Sequence, residues 1–96
     1  MALITWTNKA KRDIEGIATY LDKRSPKYAK FVIRRLYHGV ETLEKLPKIG
    51  RIVPEFKLLH IRENYRIVYL LHEDVVEILS ISHARRDLSK TLLGRS

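Results

Sequence analysis

Leu21-Asp22-Lys23-Arg24-Ser25-Pro26-Lys27-Tyr28-Ala29 is the stretch at which one helical pattern stops and a second begins. Ser25 is a capping residue, and Pro26 after it suits the first helical position. Upstream, Ala10, Ile14, Ile17, Ala18 and Leu21 recur at spacings of three and four, one apolar stripe on a helix from about Lys9 to Asp22. Thr7 or Asn8 can cap its start. Gly16 lies inside it and costs up to ~1 kcal/mol relative to Ala, so close packing against a neighbour is its expected use. Downstream, Ala29, Val32, Ile33, Leu36, Val40 and Leu43 hold the same period to about Leu46. That predicts a helix of about 20 residues, about 30 Å long. Helices joined by two or three residues lie antiparallel. Pro47-Lys48-Ile49-Gly50 ends this helical hairpin.

Beyond Gly50 the period changes. Ile52-Val53, Leu58 to Arg62, Tyr65 to Leu71 and Val75 to Ser82 read as strands, and Leu3-Ile4-Thr5-Trp6 reads as a short one at the start. Pro54 confines the first of these to an edge or an end. Two of them, Tyr65 to Leu71 and Val75 to Ile81, are apolar on both sides, the pattern of central strands. Glu63-Asn64 and His72-Glu73-Asp74 supply turns. The expectation is an α+β fold: an N-terminal strand, then a two-helix antiparallel hairpin packed on a small curved antiparallel sheet of three or four further strands. Leu88, Leu92 and Leu93 suit a short helical turn near the end.

The 96 residues make one domain, 1–96. A chain of this size buries roughly 60–70% of its unfolded surface, enough for one modest core. The absence of cysteine excludes a disulfide scaffold, a thiolate zinc site and a cysteine nucleophile. Met1 to Thr7 is too short and too soon charged for a signal peptide, and no apolar run approaches the ~18 residues that span a membrane. A cytoplasmic location is expected. The net charge is +8, and it is uneven. Residues 1–48 hold 11 Lys/Arg against 5 Asp/Glu, whereas residues 49–96 hold 8 against 6. A basic helical face marks a nucleic acid or an acidic protein partner, or simply a solvated surface.

No phosphate loop, HExxH or GxSxG is present. His38, His60, His72 and His83 have no metal-site spacing. One cluster of cations stands out. Lys57, His60, Arg62 and Arg66 lie on consecutive strands, and His83, Arg85 and Arg86 lie at the exit of the last, so they can converge on one sheet face. Cations around a histidine suit a phosphodiester. RNA cleavage by 2′-hydroxyl attack needs a base, an acid and charge stabilisation, but no metal. The alternative is cross-strand pairing of Arg62 and Arg66 with Glu63, Glu55 or Glu77. Trp6, Tyr20, Tyr28, Phe31 and Tyr37 suit base stacking or core filling.

The same blocks resemble the RelE/ParE superfamily of type II toxin–antitoxin toxins. The resemblance runs through Ile4-Thr5-Trp6; Ala10, Asp13 and Ile17; Tyr20; Ser25-Pro26; and Leu43 to Pro47. It continues in Gly50-Arg51-Ile52-Val53-Pro54-Glu55-Phe56, Arg62-Glu63, Tyr65-Arg66-Ile67-Val68-Tyr69 and Val76-Glu77-Ile78-Leu79. It ends in His83-Ala84-Arg85-Arg86-Asp87-Leu88. The family fold it implies matches the pattern above, with no cofactor, no metal and no membrane. Members similar to RelE and YoeB cut mRNA on the ribosome; members similar to ParE bind DNA gyrase and poison it. The Gly50 and His83 blocks are closer to the ParE branch. On the RNase alternative, Arg66, His83 and Arg85 are the catalytic candidates. However, Ala84 follows His83 where that branch has tyrosine, and no tyrosine follows Tyr69. Lys57, His60, Arg62 and Arg86 are candidates for binding the target or phosphate. Lys27, Lys30, Arg34 and Arg35 are candidates for binding a cognate acidic antitoxin, which in this family wraps the toxin. Whether the chain is an enzyme depends on the branch, and a non-toxic nucleic-acid-binding domain is a further alternative.

Overall fold

The computed structural model describes residues 1–53, 57–62 and 64–83. Their order is β1 (Leu3–Trp6), α1 (Asn8–Asp22), α2 (Pro26–Lys45), β2 (Arg51–Val53), β3 (Lys57–Arg62), β4 (Tyr65–His72) and β5 (Val75–His83). Both helices are capped by the residues their starts require. Thr7 Oγ1 accepts from Ala10 N at 3.0 Å, and Ser25 Oγ accepts from Tyr28 N at 3.2 Å. The two are antiparallel neighbours, as the short link dictates.

The five strands form one sheet in the order β1-β5-β4-β3-β2. β2 to β5 are antiparallel throughout. β1 makes the sheet mixed: it runs parallel to β5, with Leu3 opposite Val75 and Trp6 opposite Ile78. Asn64 and Glu73 take the positive φ values, 66° and 53°, that the β3–β4 and β4–β5 turns need. Glu63, Pro54 and the expected turn at Leu88 to Leu93 lie outside the described residues.

Both helices pack on one sheet face. Ala10, Ile14 and Leu21 of α1 and Ala29, Val32, Leu36, Val40 and Leu43 of α2 bury against Tyr65, Ile67, Tyr69, Val76, Ile78 and Ile81. The other face carries a smaller cluster: Leu59 and Val68, with Val53 and Leu79 beside them. Leu79 is an extra residue. Val68 pairs with Ser80 but Tyr69 with Ile78, so β5 bulges there.

The four-residue β1 covers only the first half of β5. The next polar groups on that edge are met by the α1 cap, Thr7, and by α1 itself. Thr7 Oγ1 donates to Leu79 O at 3.0 Å, and Asp13 Oδ2 accepts from Ile81 N at 2.9 Å. Tyr69 plays a similar role at the other end. Its buried hydroxyl donates to Pro47 O at 2.8 Å and accepts from Gly50 N at 3.0 Å, tying the α2–β2 loop to the core. A Cβ at Gly50 would stand 2.5 Å from that hydroxyl oxygen, so a side chain there would have to displace the Tyr69 ring. Gly16 corrects an expectation: a Cβ there would meet nothing within 4 Å, so close packing is not what places glycine in α1.

Candidate functional site

The structure divides the predicted cation cluster among three places instead of gathering it on one face. Cross-strand partners share a face, so the register decides. Lys57 pairs with Val53, and Arg66 pairs with Ile61 and Ser82; these lie on the face away from the helices, with Leu59 and Val68. His60 pairs with Ile67 and Arg62 with Tyr65, on the helix face. Arg66 Nη1 donates to the His83 carbonyl at 3.2 Å, so its guanidinium is held to the end of β5. Arg85 and Arg86 lie outside the described residues.

On the helix face Arg62 crosses to α2. Its Cγ fills the space that a Cβ at Gly39 would need, 2.9 Å away. Its Nη2 reaches His38 Nδ1 at 2.7 Å. Guanidinium nitrogen only donates, so His38 Nδ1 accepts there. His60 Nε2 and Arg62 Nε are buried and find no hydrogen-bond partner among the described residues. Burial, and next the Arg62 charge, pull the His60 pKa down from 6.5. His60 is therefore neutral at pH 7.

His83 stands elsewhere on that face. Beyond the bulge it pairs with Tyr65, whose ring it meets edge to face at 5.0 Å between centroids. The two line a cleft of about 830 Å³, together with Arg12, Tyr20, Tyr28 and Asn64. Burial pushes the Tyr65 pKa up, and Tyr28 and Tyr20 add to the effect. No tyrosine follows Tyr69 in the sequence, but Tyr20, Tyr28 and Tyr65 share this cleft with His83. Sequence reasoning considered Tyr20 and Tyr28 for stacking but did not place them, or Tyr65, beside His83. The sequence held no signal for it, because the extra residue Leu79 moves His83 into the place opposite Tyr65 that an unbroken register gives to Ser82.

The antitoxin candidates lie on α2. Lys27, Lys30 and Arg34 are exposed; Arg35 is half-buried, with its guanidinium 5.9 Å from the Phe31 ring centre. No group of three or more His, Asp or Glu side chains capable of holding a metal occurs among the described residues. No helix there is long and apolar enough to cross a membrane.

A strand, a helical hairpin and an antiparallel meander to which the first strand returns in parallel define a RelE-like α+β toxin fold. Two solved structures share it. They are the chromosomal ParDE toxin–antitoxin system of P. aeruginosa (TM-score 0.75, 20% identity, 88% of this chain and 98% of that one) and the RelBE2 toxin–antitoxin complex of Mycobacterium tuberculosis (TM-score 0.61, 20% identity, 85% and 96%). The family model for the ParE toxin of the type II toxin–antitoxin system parDE matches residues 4–88, and the chain belongs to that family. Among curated proteins it is similar to the putative toxin Y4kP of Sinorhizobium fredii, 33% identical over 92 residues, covering 93% of this chain and 95% of that one. It is also similar to Toxin RelE2 of Caulobacter vibrioides, 31% identical over 87 residues, covering 90% and 99%. It is a type II toxin of the RelE/ParE superfamily.

Proposed function

We propose that this toxin arrests growth by binding DNA gyrase and trapping it on cleaved DNA, and that a cognate acidic antitoxin neutralises it. The observation that carries the reading is the division of the phosphate-binding candidates. Lys57 and Arg66 face away from the helices, whereas His60, Arg62 and His83 face towards them. A metal-free ribonuclease must bring an acid, a base and cations to within a few ångströms of one phosphate. Side chains rooted on opposite faces of a sheet can share one only around its end, where Arg66 is instead tied to the His83 carbonyl. Binding and poisoning a protein target asks for no such convergence. The match of residues 4–88 to the ParE model supports the same choice. The +8 charge would speed encounter with an acidic antitoxin segment, and Lys27, Lys30, Arg34 and Arg35 are the cations proposed to receive it.

The direct test adds the purified chain to gyrase and supercoiled plasmid. Accumulation of cleaved DNA, reversed by the antitoxin, is expected. Unimpaired gyrase, together with new mRNA 5′ ends inside translated codons after induction, would transfer the reading to a ribosome-dependent endoribonuclease. One observation favours that second reading: His83 lies against Tyr65 in a cleft that also holds Tyr20, Tyr28 and Arg12. If it holds, His83→Ala lowers cleavage by about 10²–10⁴, the range of a general acid or base.

A further inference from the structure

Between Asp22 and Glu41 the chain has no acidic residue but six basic ones: Lys23, Arg24, Lys27, Lys30, Arg34 and Arg35. The last four belong to α2, whose buried side is taken by Ala29, Val32, Leu36, Val40 and Leu43. The helical period therefore sends the cations outward. Two rings share this outward surface. Tyr28 and Phe31 are three residues apart, stacked at 6.3 Å and 26°, and remain 54% and 49% exposed. Guanidinium groups sit against aromatic faces nearby: Arg35 over Phe31 at 5.9 Å, and Arg24 over Tyr20 at 4.8 Å.

Cations alone suit any anion, but a near-parallel ring pair about half exposed to water is not accounted for by charge. Phosphates interspersed with flat π-faces are the chemistry of a nucleic-acid strand, and only an unpaired strand presents its base faces. We propose that the outward face of α2 binds single-stranded nucleic acid, Tyr28 and Phe31 stacking on bases while Lys27, Lys30, Arg34 and Arg35 hold the phosphates. This goes beyond the gyrase reading and does not rest on it: the site is on α2, whichever target the toxin has. An antitoxin seated on the same cations excludes the strand.

The test is fluorescence anisotropy of the full-length chain with labelled oligo(dT), oligo(U) and a DNA duplex of matched length. Tighter binding of either single strand than of the duplex is expected, and the better of the two says which sugar is preferred. Phe31→Leu keeps the volume but removes the ring; it should weaken single-strand binding roughly 5- to 100-fold. Phe31→Tyr should bind as the parent does, and its thermal melting checks that the fold is intact. Lys30→Gln should make the log–log salt slope shallower by about 0.7. Equal affinity for duplex, or an unchanged affinity in Phe31→Leu, would overturn the proposal in favour of undirected electrostatics. Polyglutamate held as tightly as the oligonucleotides, and insensitive to Phe31→Leu, would show a dock for acidic peptide and overturn it as well.

Discussion

Replacing Asp13 by alanine removes the acceptor that α1 offers to the edge of β5. The carboxylate does two things: it takes the Ile81 amide proton at 2.9 Å, and it bridges to Lys9 Nζ at 2.8 Å. The two are unequal. The Lys9 side chain is 63% exposed, and an i,i+4 pair in water is worth about 0.3–0.5 kcal/mol. A hydrogen bond to a charged group is worth about 1.5–3 kcal/mol, and Asp13 is only 19% exposed. Alanine returns up to ~0.7 kcal/mol as the better helix former. The net loss is about 1–3 kcal/mol, which lowers the melting temperature of a domain this size by about 4–24 °C. Thermal unfolding followed by circular dichroism measures it. Amide hydrogen exchange gives the location: the Ile81 amide should exchange faster, while Ile67 on the neighbouring strand should not. Asp13→Asn keeps a carbonyl acceptor and should lose less than Asp13→Ala. An alanine variant that melts with the parent, or equal losses in both variants, would refute the claim that Asp13 stands in for the missing strand.

Tyr69→Phe leaves Pro47 O and Gly50 N without their partner, so a loss of about 1–3 kcal/mol is expected from urea denaturation, with the α2–β2 loop becoming the first segment to exchange. Gly16→Ala meets nothing within 4 Å, so it should stabilise the chain by up to ~1 kcal/mol, read as a raised urea midpoint. His60 gives stability a pH dependence. Its folded pKa is below 6.5, so on acidification the unfolded chain takes up the proton first and stability falls as the pH drops through 6.5. Urea midpoints at pH 7.5 and 5.5 should differ by less in His60→Gln than in the parent, and an unchanged difference would remove His60 as the cause.

The helical half was legible because two signals agreed there: the 3.6-residue stripe and a capping residue at each start. Thr7 and Ser25 are both the caps observed. The strand boundaries were also close, with β3 starting at Lys57 and β5 reaching His83, one residue beyond the pattern at each. The parallel placement of β1 was not legible, since its partner lies far away in sequence. The candidate site failed on parity. On β3, Lys57 is odd-numbered whereas His60 and Arg62 are even, which already separates them. On β4 the odd residues Tyr65, Ile67 and Tyr69 turn inward, so Arg66 turns outward, but apolar residues at both parities hid this. On β5 the bulge at Leu79 shifts the inward set from Val76 and Ile78 to Ile81 and His83. A single extra residue thus brings His83 to Tyr65, and period-2 counting does not register it. Arg62 against Gly39 had no sequence signal, because it depends on how closely α2 and β3 approach.

The parallel docking of β1 also sets a time order on the making of this protein. Thr7 and its acceptor Leu79 are separated by 72 residues. β1 must therefore wait for a strand synthesised 72 residues later, about 4–14 s at ribosomal speed. The β3–β4–β5 meander is held by neighbours in sequence, so its pairs close at low entropic cost, while the pairing of Leu3 with Val75 closes a far longer loop. Until then the outer rim of β5 is an open edge of Val75, Val76, Ile78 and Ile81, the kind of edge to which another chain can pair. Thr7 and Asp13 travel with β1 and α1, so the arrival of β1 covers that edge from Val75 as far as Ile81.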